Sequence, residues 1–244
     1  MRLAGLVVAE MLERCRDAVR PGVTTAELDA VAAEVIRKRG AVSSFYGYYG
    51  YPATICTSVN DEIVHGIPGK RRLVEGDIVG IDVGAIVDGW HGDAAITVPV
   101  GKVTAKAAKV VAVAEEALRR GIAAAKVGGR LGDIGAAVQT YVEAEGFSVV
   151  RNYVGHGIGR AMHEEPQVPN YGVADRGLPI KEGLCIAIEP MVNTGGAATR
   201  VLDDRWTVVT SDGSLSAHFE HTVWCVASGP VVLTARDGTA AVAA

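Results

Sequence analysis

EGDIVGID, residues Glu75 to Asp82, returns as EGLCIAIE, Glu182 to Glu189, 107 positions further along the chain. Both runs are apolar, built of glycine, β-branched and small residues, and both read as buried strands ending on a carboxylate. The repetition extends upstream. Thr24 and Glu27 make a capping-box pattern ahead of an apolar face of Leu28, Val31, Ala32, Val35 and Ile36, and Gly40 stops that helix. Ile134, Ala137, Val138, Tyr141 and Val142, closed by Gly146, copy it 106 positions later, and Gly22 matches Gly128 at the same offset. A further amphipathic helix precedes each copy: Val8, Met11, Leu12 and Cys15 form the first face, and Val110, Val113, Ala114, Ala117 and Leu118 the second. The pattern predicts a duplicated α+β fold with antiparallel strands inside and helices outside. Its halves run over roughly residues 1–100 and 101–230 of a single domain spanning 1–244.

Four carboxylates and one imidazole fall on apolar, buried-reading segments: Asp82 in GIDVG, Asp93 in HGDAA, His156 in GHGIG, Glu189 in AIEPM and Glu220 in HFEHT. An unpartnered buried carboxylate is costly, and several crowded together repel and take up protons. No matching number of buried Lys or Arg is in sight, whereas two divalent cations would neutralise all four. Residues 78 to 98 read as a hairpin about Asp88-Gly89. With Asp88-Gly89 as the two-residue loop, Asp93 pairs with Gly84 and Asp82 lies diagonally across on the same face. With the loop at Val87-Asp88, the two aspartates face each other directly. Either register aims both carboxylates at one point, whereas a three-residue loop would split them. Pro190 marks Glu189 as a strand end, and Glu220 shares a strand face with Thr222 and Trp224. An oxygen-rich set with one His and no Cys suits manganese, iron or cobalt at least as well as zinc.

The remaining features set limits. A chain of 244 residues and 25.4 kDa with a formal charge of −4 carries no nucleic-acid stripe, and Lys70-Arg71-Arg72 reads as a solvated turn. No stretch reaches membrane-spanning length and no signal pattern opens the chain. Cys15, Cys56, Cys185 and Cys225 are scattered, which argues against a disulfide framework or a thiolate zinc site and for the cytoplasm. His65 and His163 sit beside Gly or Pro punctuation in loops, where catalytic side chains concentrate. His91, His218 and His221 flank the acidic positions and read as packing groups or as supports of the ligands, with no chemistry of their own. Phe45, Tyr46, Tyr48, Tyr49 and Tyr51, interrupted by Gly47 and Gly50, suit a pocket wall better than a core strand. Gly195-Gly196 lacks the Lys-Ser/Thr of a phosphate loop. The Ala-rich segment 234–244 reads as a frayed tail.

HGIP with His65, DGWHGD with Asp93, GHGIGRAMHEEP with His156 and His163, IEPM with Glu189, and SAHFEHT with Glu220 together resemble the methionine aminopeptidases, in particular their bacterial, type I form. Order and spacing agree over nearly the whole chain. The resemblance implies the pita-bread fold, an internally duplicated α+β structure. It implies that Asp82, Asp93, His156, Glu189 and Glu220 ligate two divalent ions (cobalt, manganese, iron or zinc), with Asp93 and Glu220 bridging. It makes His65 and His163 the substrate-contacting histidines, acting with Glu189 in catalysis. It lines a methionine pocket with Tyr48, Tyr51, Cys56, Met162 and Trp206, with Phe45 nearby; position 162 is aromatic in many relatives. The implied activity is removal of N-terminal methionine from nascent proteins by metal-activated water, with a preference for a small second residue. The implied setting is a cytoplasmic monomer meeting methionyl peptides, without DNA or membrane; the alternative reading of the Lys70 run is a contact with an acidic surface such as the ribosome. Relatives usually carry a longer lead-in, whereas here the first helix starts almost at Met1, as in a shortened gene or a misassigned start. The stretch between His163 and Glu189 leaves no room for a type II insertion. Two alternatives share the fold. A proline-specific aminopeptidase or prolidase usually carries a separate N-terminal domain and matches HGIP and MHEEP less well. A non-catalytic binding module tends to have lost ligands that are all present here.

Overall fold

The computed structural model describes residues 1–235. Its helices are α1 (Arg2–Ala18), α2 (Thr25–Arg39), α3 (Ala105–Ala124) and α4 (Leu131–Ala144). The strands of the main sheet are β1 (Val42–Ser43), β2 (Ile55–Val59), β3 (Ile78–Val87), β4 (Trp90–Pro99), β5 (Gly155–Gly157), β6 (Glu164–Val168), β7 (Cys185–Ile188), β8 (Glu220–Val226) and β9 (Gly229–Val232). All pairings are antiparallel, in the order β1-β3-β4-β8-β7-β5-β6, with β2 also on β3 and β9 on β8. Two three-stranded sheets complete it: Met191–Asn193 between Ser148–Val149 and Ser216–His218, and Val208–Thr210 between Glu62–Val64 and Thr199–Val201.

The sequence repeat is a repeat of conformation. Gly22 and Gly128 both sit at φ +91°, a left-handed backbone that glycine adopts without a Cβ penalty. Each then donates its N–H across to the far strand lead-in, Gly22 to Leu73 O at 2.8 Å and Gly128 to Ile180 O at 3.0 Å. At the start of α2 the Thr24 hydroxyl accepts from Glu27 N–H, and the Glu27 carboxylate accepts from Thr24 N–H at 2.7 Å. This reciprocal cap stabilises the helix by about 1 kcal/mol. Asp133 takes the Arg130 N–H at 2.7 Å in the same position of α4. Arg130 stands where α2 has threonine.

Each half has its own core. Val8, Met11, Leu12, Cys15, Leu28 and Ala32 from α1 and α2 pack on Ile55, Ile81, Val83 and Ala94. Val110, Val113, Ala114, Ile134 and Val138 from α3 and α4 pack on Ile186, Ile188 and Val223. Ile96, in the middle of β4, touches both clusters and joins the halves. The helices therefore cover one face of the sheet. Strand side chains alternate, so Ile81 and Val83 turn to the helices and Asp82 between them turns to the opposite face. The same alternation turns Glu220 away from Phe219, which lies in the helix-side core.

The β3–β4 hairpin takes the first of its two expected registers. Val87 pairs with Trp90, leaving Asp88 (φ +52°) and Gly89 (φ +73°) as a two-residue loop of the type that matches strand twist. Gly84 consequently faces Asp93, and Asp82 faces Ala95.

The chain end differs from expectation at its first residues. Thr234 is buried rather than frayed. Its hydroxyl accepts from Thr222 N–H and lies 2.8 Å from His221 Nδ1, while the Arg2 guanidinium donates to Leu233 O and Ala235 O. The partners are distant in sequence, so local composition carried no sign of them. The rest of the expected tail, residues 236–244, lies outside the described residues. The close approach of this segment to α1 has a consequence at Gly5, where a Cβ would stand 2.0 Å from Leu233 O. Gly5→Ala should destabilise the protein by about 1–3 kcal/mol, as overpacking does, read as a lower denaturant midpoint at unchanged slope. An unaltered midpoint would mean that this contact is not made in solution.

Candidate metal centre and its cavity

Strand register brings the acidic residues together. Ala95 of β4 pairs with Asp82 of β3 on one side and with Glu220 of β8 on the other, which sets the two carboxylates across one face. Asp93 lies two residues from Ala95 on that face. Its backbone is fixed by Thr222, whose hydroxyl accepts from Asp93 N–H at 3.0 Å and donates to Asp93 O at 2.8 Å. Glu189 follows the end of β7, with its carbonyl held by the Asn170 amide at 3.0 Å. His156 comes from β5, which borders β7. Its Nδ1 lies 2.8 Å from the Gly157 carbonyl, an acceptor only. Nδ1 must carry the proton, and the Nε2 lone pair then faces Asp93 Oδ2 at 3.8 Å and Glu189 Oε1 at 3.5 Å.

The electrostatics of this group are those of a site awaiting positive charge. At an effective dielectric of about 20, unit charges about 4 Å apart repel by about 4 kcal/mol. Burial pushes Asp82 up to about 7. Burial, then the charges of Asp82 and Glu189, holds Asp93 well above the carboxylate range. Glu189 rises through burial and Asp82; Glu220 rises through burial and then Asp93, Glu189 and Asp82. Burial, with His163 adding to it, pushes His156 down to about 4, so the imidazole is neutral and cannot compensate. Asp82 Oδ1, Asp93 Oδ1 and Glu220 Oε1 are buried without a hydrogen-bond partner among the described residues. One donor atom from each of Asp93, His156 and Glu220 lies within 4.8 Å of the others. Unsatisfied carboxylate oxygens around a neutral imidazole with its lone pair inward fit a divalent cation.

A cavity of about 360 Å³ opens over this floor, and every residue that the family resemblance places in the site lines it. Phe45, Tyr51, Cys56 and Met162 form one apolar cluster, with Tyr48 and Trp206 packed against it. The Tyr51 hydroxyl lies 3.0 Å from the carbonyls of Ile55 and Gly66, and its ring meets Trp206 edge-on at 5.0 Å. Asp29 of α2 accepts the N–H groups of Thr54 and Ile55 and so anchors the exit of the aromatic loop. Cys56 pairs with Asp82 across β2 and β3 and shares its face. Burial, with the nearby Asp82 charge, raises the Cys56 thiol well above its usual range, which makes it an inert wall. At the mouth, the Tyr48 hydroxyl is 2.7 Å from His163 Nδ1, and the His163 ring lies 4.2 Å from that of His156. His65, at φ +62°, meets Tyr153 edge-on at 5.9 Å.

The aromatic run divides. Phe45, Tyr48 and Tyr51 turn inward, Tyr46 is exposed, and Tyr49 is exposed yet reaches the cavity rim. Sequence reasoning missed His218. Read as a packing group or a support of the ligands, it is buried with Nε2 facing Glu189 and Glu220 directly and without a hydrogen-bond partner among the described residues. The available signal was its place two residues before Glu220. His91 and His221 do lie in packed positions, paired with the Ser44 and Thr234 hydroxyls. The basic run is spent locally, Arg71 on Glu62 and Arg72 on the Gly22 carbonyl.

Cations, rather than several shared protons, are the natural complement of such a floor at neutral pH, and the apolar wall beside it fits one large side chain of a peptide. Fold and site thus describe a metal-dependent peptidase built from two matched halves. The profile of metallopeptidase family M24 matches residues 1–227, and the chain belongs to that family. The methionine aminopeptidase of Clostridium perfringens (strain 13 / Type A) is 52% identical over 234 residues, covering 96% of this chain and 94% of that protein. Among solved structures, the methionine aminopeptidase of Thermotoga maritima superposes with a TM-score of 0.95 at 44% identity, covering 96% of this chain and 94% of that one. That of Rickettsia prowazekii gives 0.94 at 43%, covering 96% and 95%. The architecture is the pita-bread fold. Among the described residues, no helix is long and apolar enough to cross a membrane.

Proposed function

We propose that the protein removes methionine from the N-terminus of peptides and nascent proteins, and that Asp82, Asp93, His156, Glu189 and Glu220 are the residues that would hold two divalent cations. One observation carries this reading: the carboxylate floor and the apolar wall share a single cavity. A methionine side chain against Tyr51, Cys56, Met162 and Trp206 sets the first peptide bond over the floor. The adaptable thioether of Met162 keeps that wall apolar where relatives carry an aromatic ring. A preference for a small second residue is what the resemblance to the methionine aminopeptidases implies. The four unpaired cysteines suit a reducing compartment, and we place the protein in the cytoplasm.

Bound at these ligands, divalent cations supply Lewis acidity and lower the pKa of water towards neutrality. The chain supplies the rest. The Tyr48 hydroxyl lies 2.7 Å from His163 Nδ1; with the hydroxyl as donor, the imidazole proton sits on Nε2, where it can donate to the scissile carbonyl as negative charge develops. Glu189 accepts a proton from the attacking water and returns it to the leaving amine. His65, braced by Tyr153, holds the peptide from the opposite side. His163→Ala should lower kcat by about 100- to 1,000-fold, the usual loss for one donor to a developing oxyanion, with metal content unchanged by elemental analysis. Metal loss in that variant would place His163 among the ligands instead. The reading itself is tested by turnover of Met-Gly-Met-Met against an Xaa-Pro peptide by the metal-loaded protein. Release of methionine from the first and no cleavage of the second is expected; the reverse preference would make this a proline-specific enzyme.

A further inference from the structure

We infer that His218 is a further metal ligand, giving the centre a second nitrogen donor beside Glu189 and Glu220. The inference rests on the metal-centre reading above and adds a residue to it. His218 is 3% exposed, and its Nε2 has no hydrogen-bond partner among the described residues. That atom stands 4.0 Å from Glu189 Oε2 and 3.9 Å from Glu220 Oε2. Both distances are too long for hydrogen bonds. Both fit donors sharing one cation, because two ligand atoms each about 2.0–2.2 Å from an ion are at most about 4.4 Å apart. His156 meets the same criterion, at 3.8 Å from Asp93 and 3.5 Å from Glu189. Glu189, His218 and Glu220 form a second group whose donor atoms lie within 4.8 Å of one another, and Glu220 belongs to both groups. The imidazole is also held in place. Its backbone N–H donates to Thr97 Oγ1 at 2.9 Å, its carbonyl accepts from the same hydroxyl at 2.8 Å, and it pairs with Met191 in a neighbouring sheet. A buried imidazole nitrogen facing two carboxylates has no structural task unless something positive lies between them.

The chemistry that follows is selectivity. One imidazole for each of two cation positions favours zinc, iron or cobalt over manganese and magnesium, which prefer all-oxygen surroundings. The cobalt(II)-loaded protein is the test. Its proton NMR spectrum should contain two solvent-exchangeable, strongly hyperfine-shifted imidazole N–H signals, from His156 and His218. His218→Gln should retain one and bind cobalt at least 10-fold more weakly by calorimetry. The affinity loss alone would not decide the matter, because a side chain that merely orients a ligand can cost as much; the signal count does. One shifted signal in the unaltered protein with cobalt bound would overturn the inference, and needs no variant to fold. Failure of the unaltered protein to take up cobalt at all would overturn the metal-centre reading first, and the inference with it.

Discussion

Asp93→Ala should yield a folded protein whose turnover of methionyl peptides is lower by about 10³-fold or more, the loss of several kcal/mol of metal-assisted stabilisation of the transition state. Asp93 is the carboxylate with the most to hold. It faces His156 Nε2 at 3.8 Å and has a carboxylate oxygen within 4.8 Å of donor atoms of both His156 and Glu220, so it belongs to whatever cation either residue binds. The fold has no comparable need of the side chain. β3 and β4 are registered by their own ladder and tight turn, and Thr222 ties the backbone of Asp93 from both its N–H and its carbonyl. Removing one of four crowded buried acids also removes repulsion. The metal-free variant should therefore melt no lower than the metal-free parent. Turnover, metal content and melting measured together separate the outcomes. Unchanged turnover would remove Asp93 from the ligand set, and collapse of the fold would make it a structural residue.

The sequence exposed this centre to the extent that period and charge are local properties. Asp82 and Glu189 end matching strands, and an alternating strand whose neighbours are Ile81 and Val83 must turn Asp82 away from the helices. The hairpin was narrowed to two registers because loop length alone fixes which residues face each other; the left-handed Asp88 and Gly89 settled it. The aromatic loop resisted the same treatment. Gly47, Tyr49 and Gly50 all take positive φ, so the segment has no period from which inward and outward residues could be read. His218 was hidden for a different reason. It ends Ser216–His218, a strand of a small sheet, whereas Glu220 begins β8 of the main sheet; alternation through Phe219 leaves both on one face, but nothing local marks that face as shared with Glu189. Thr234 lies beyond any local rule, since its burial depends on a histidine thirteen residues earlier.

Metal removal should make the protein lose stability as pH rises from about 7.5 to 8.5. All six histidines are shifted down, with burial as the leading cause, His65, His156 and His221 to about 4 and His218 to about 3. A depressed group contributes stability that is present above its unfolded value, near 6.5, and lost as pH falls. In the chosen window, about one unit or more above the unfolded value, the histidines are almost wholly neutral in both states and add little slope. The carboxylates behave oppositely. Their folded values are raised, Asp82 to about 7 and Asp93, Glu189 and Glu220 well above the ordinary range. Their contribution is complete below the unfolded value near 4 and is lost as pH climbs through the folded values, because the unfolded chain has already released those protons. The melting temperature of the metal-free protein should thus fall by several degrees across the window. A divalent ion at a hundredfold excess over its Kd adds about 2.7 kcal/mol, roughly 5–10 °C for a chain of this size, and should flatten the slope, since cations then take the place of the protons. A metal-free protein whose melting temperature holds steady or rises over this range would show that the four acids do not crowd one another, and the charge argument for a cation site would fall with it.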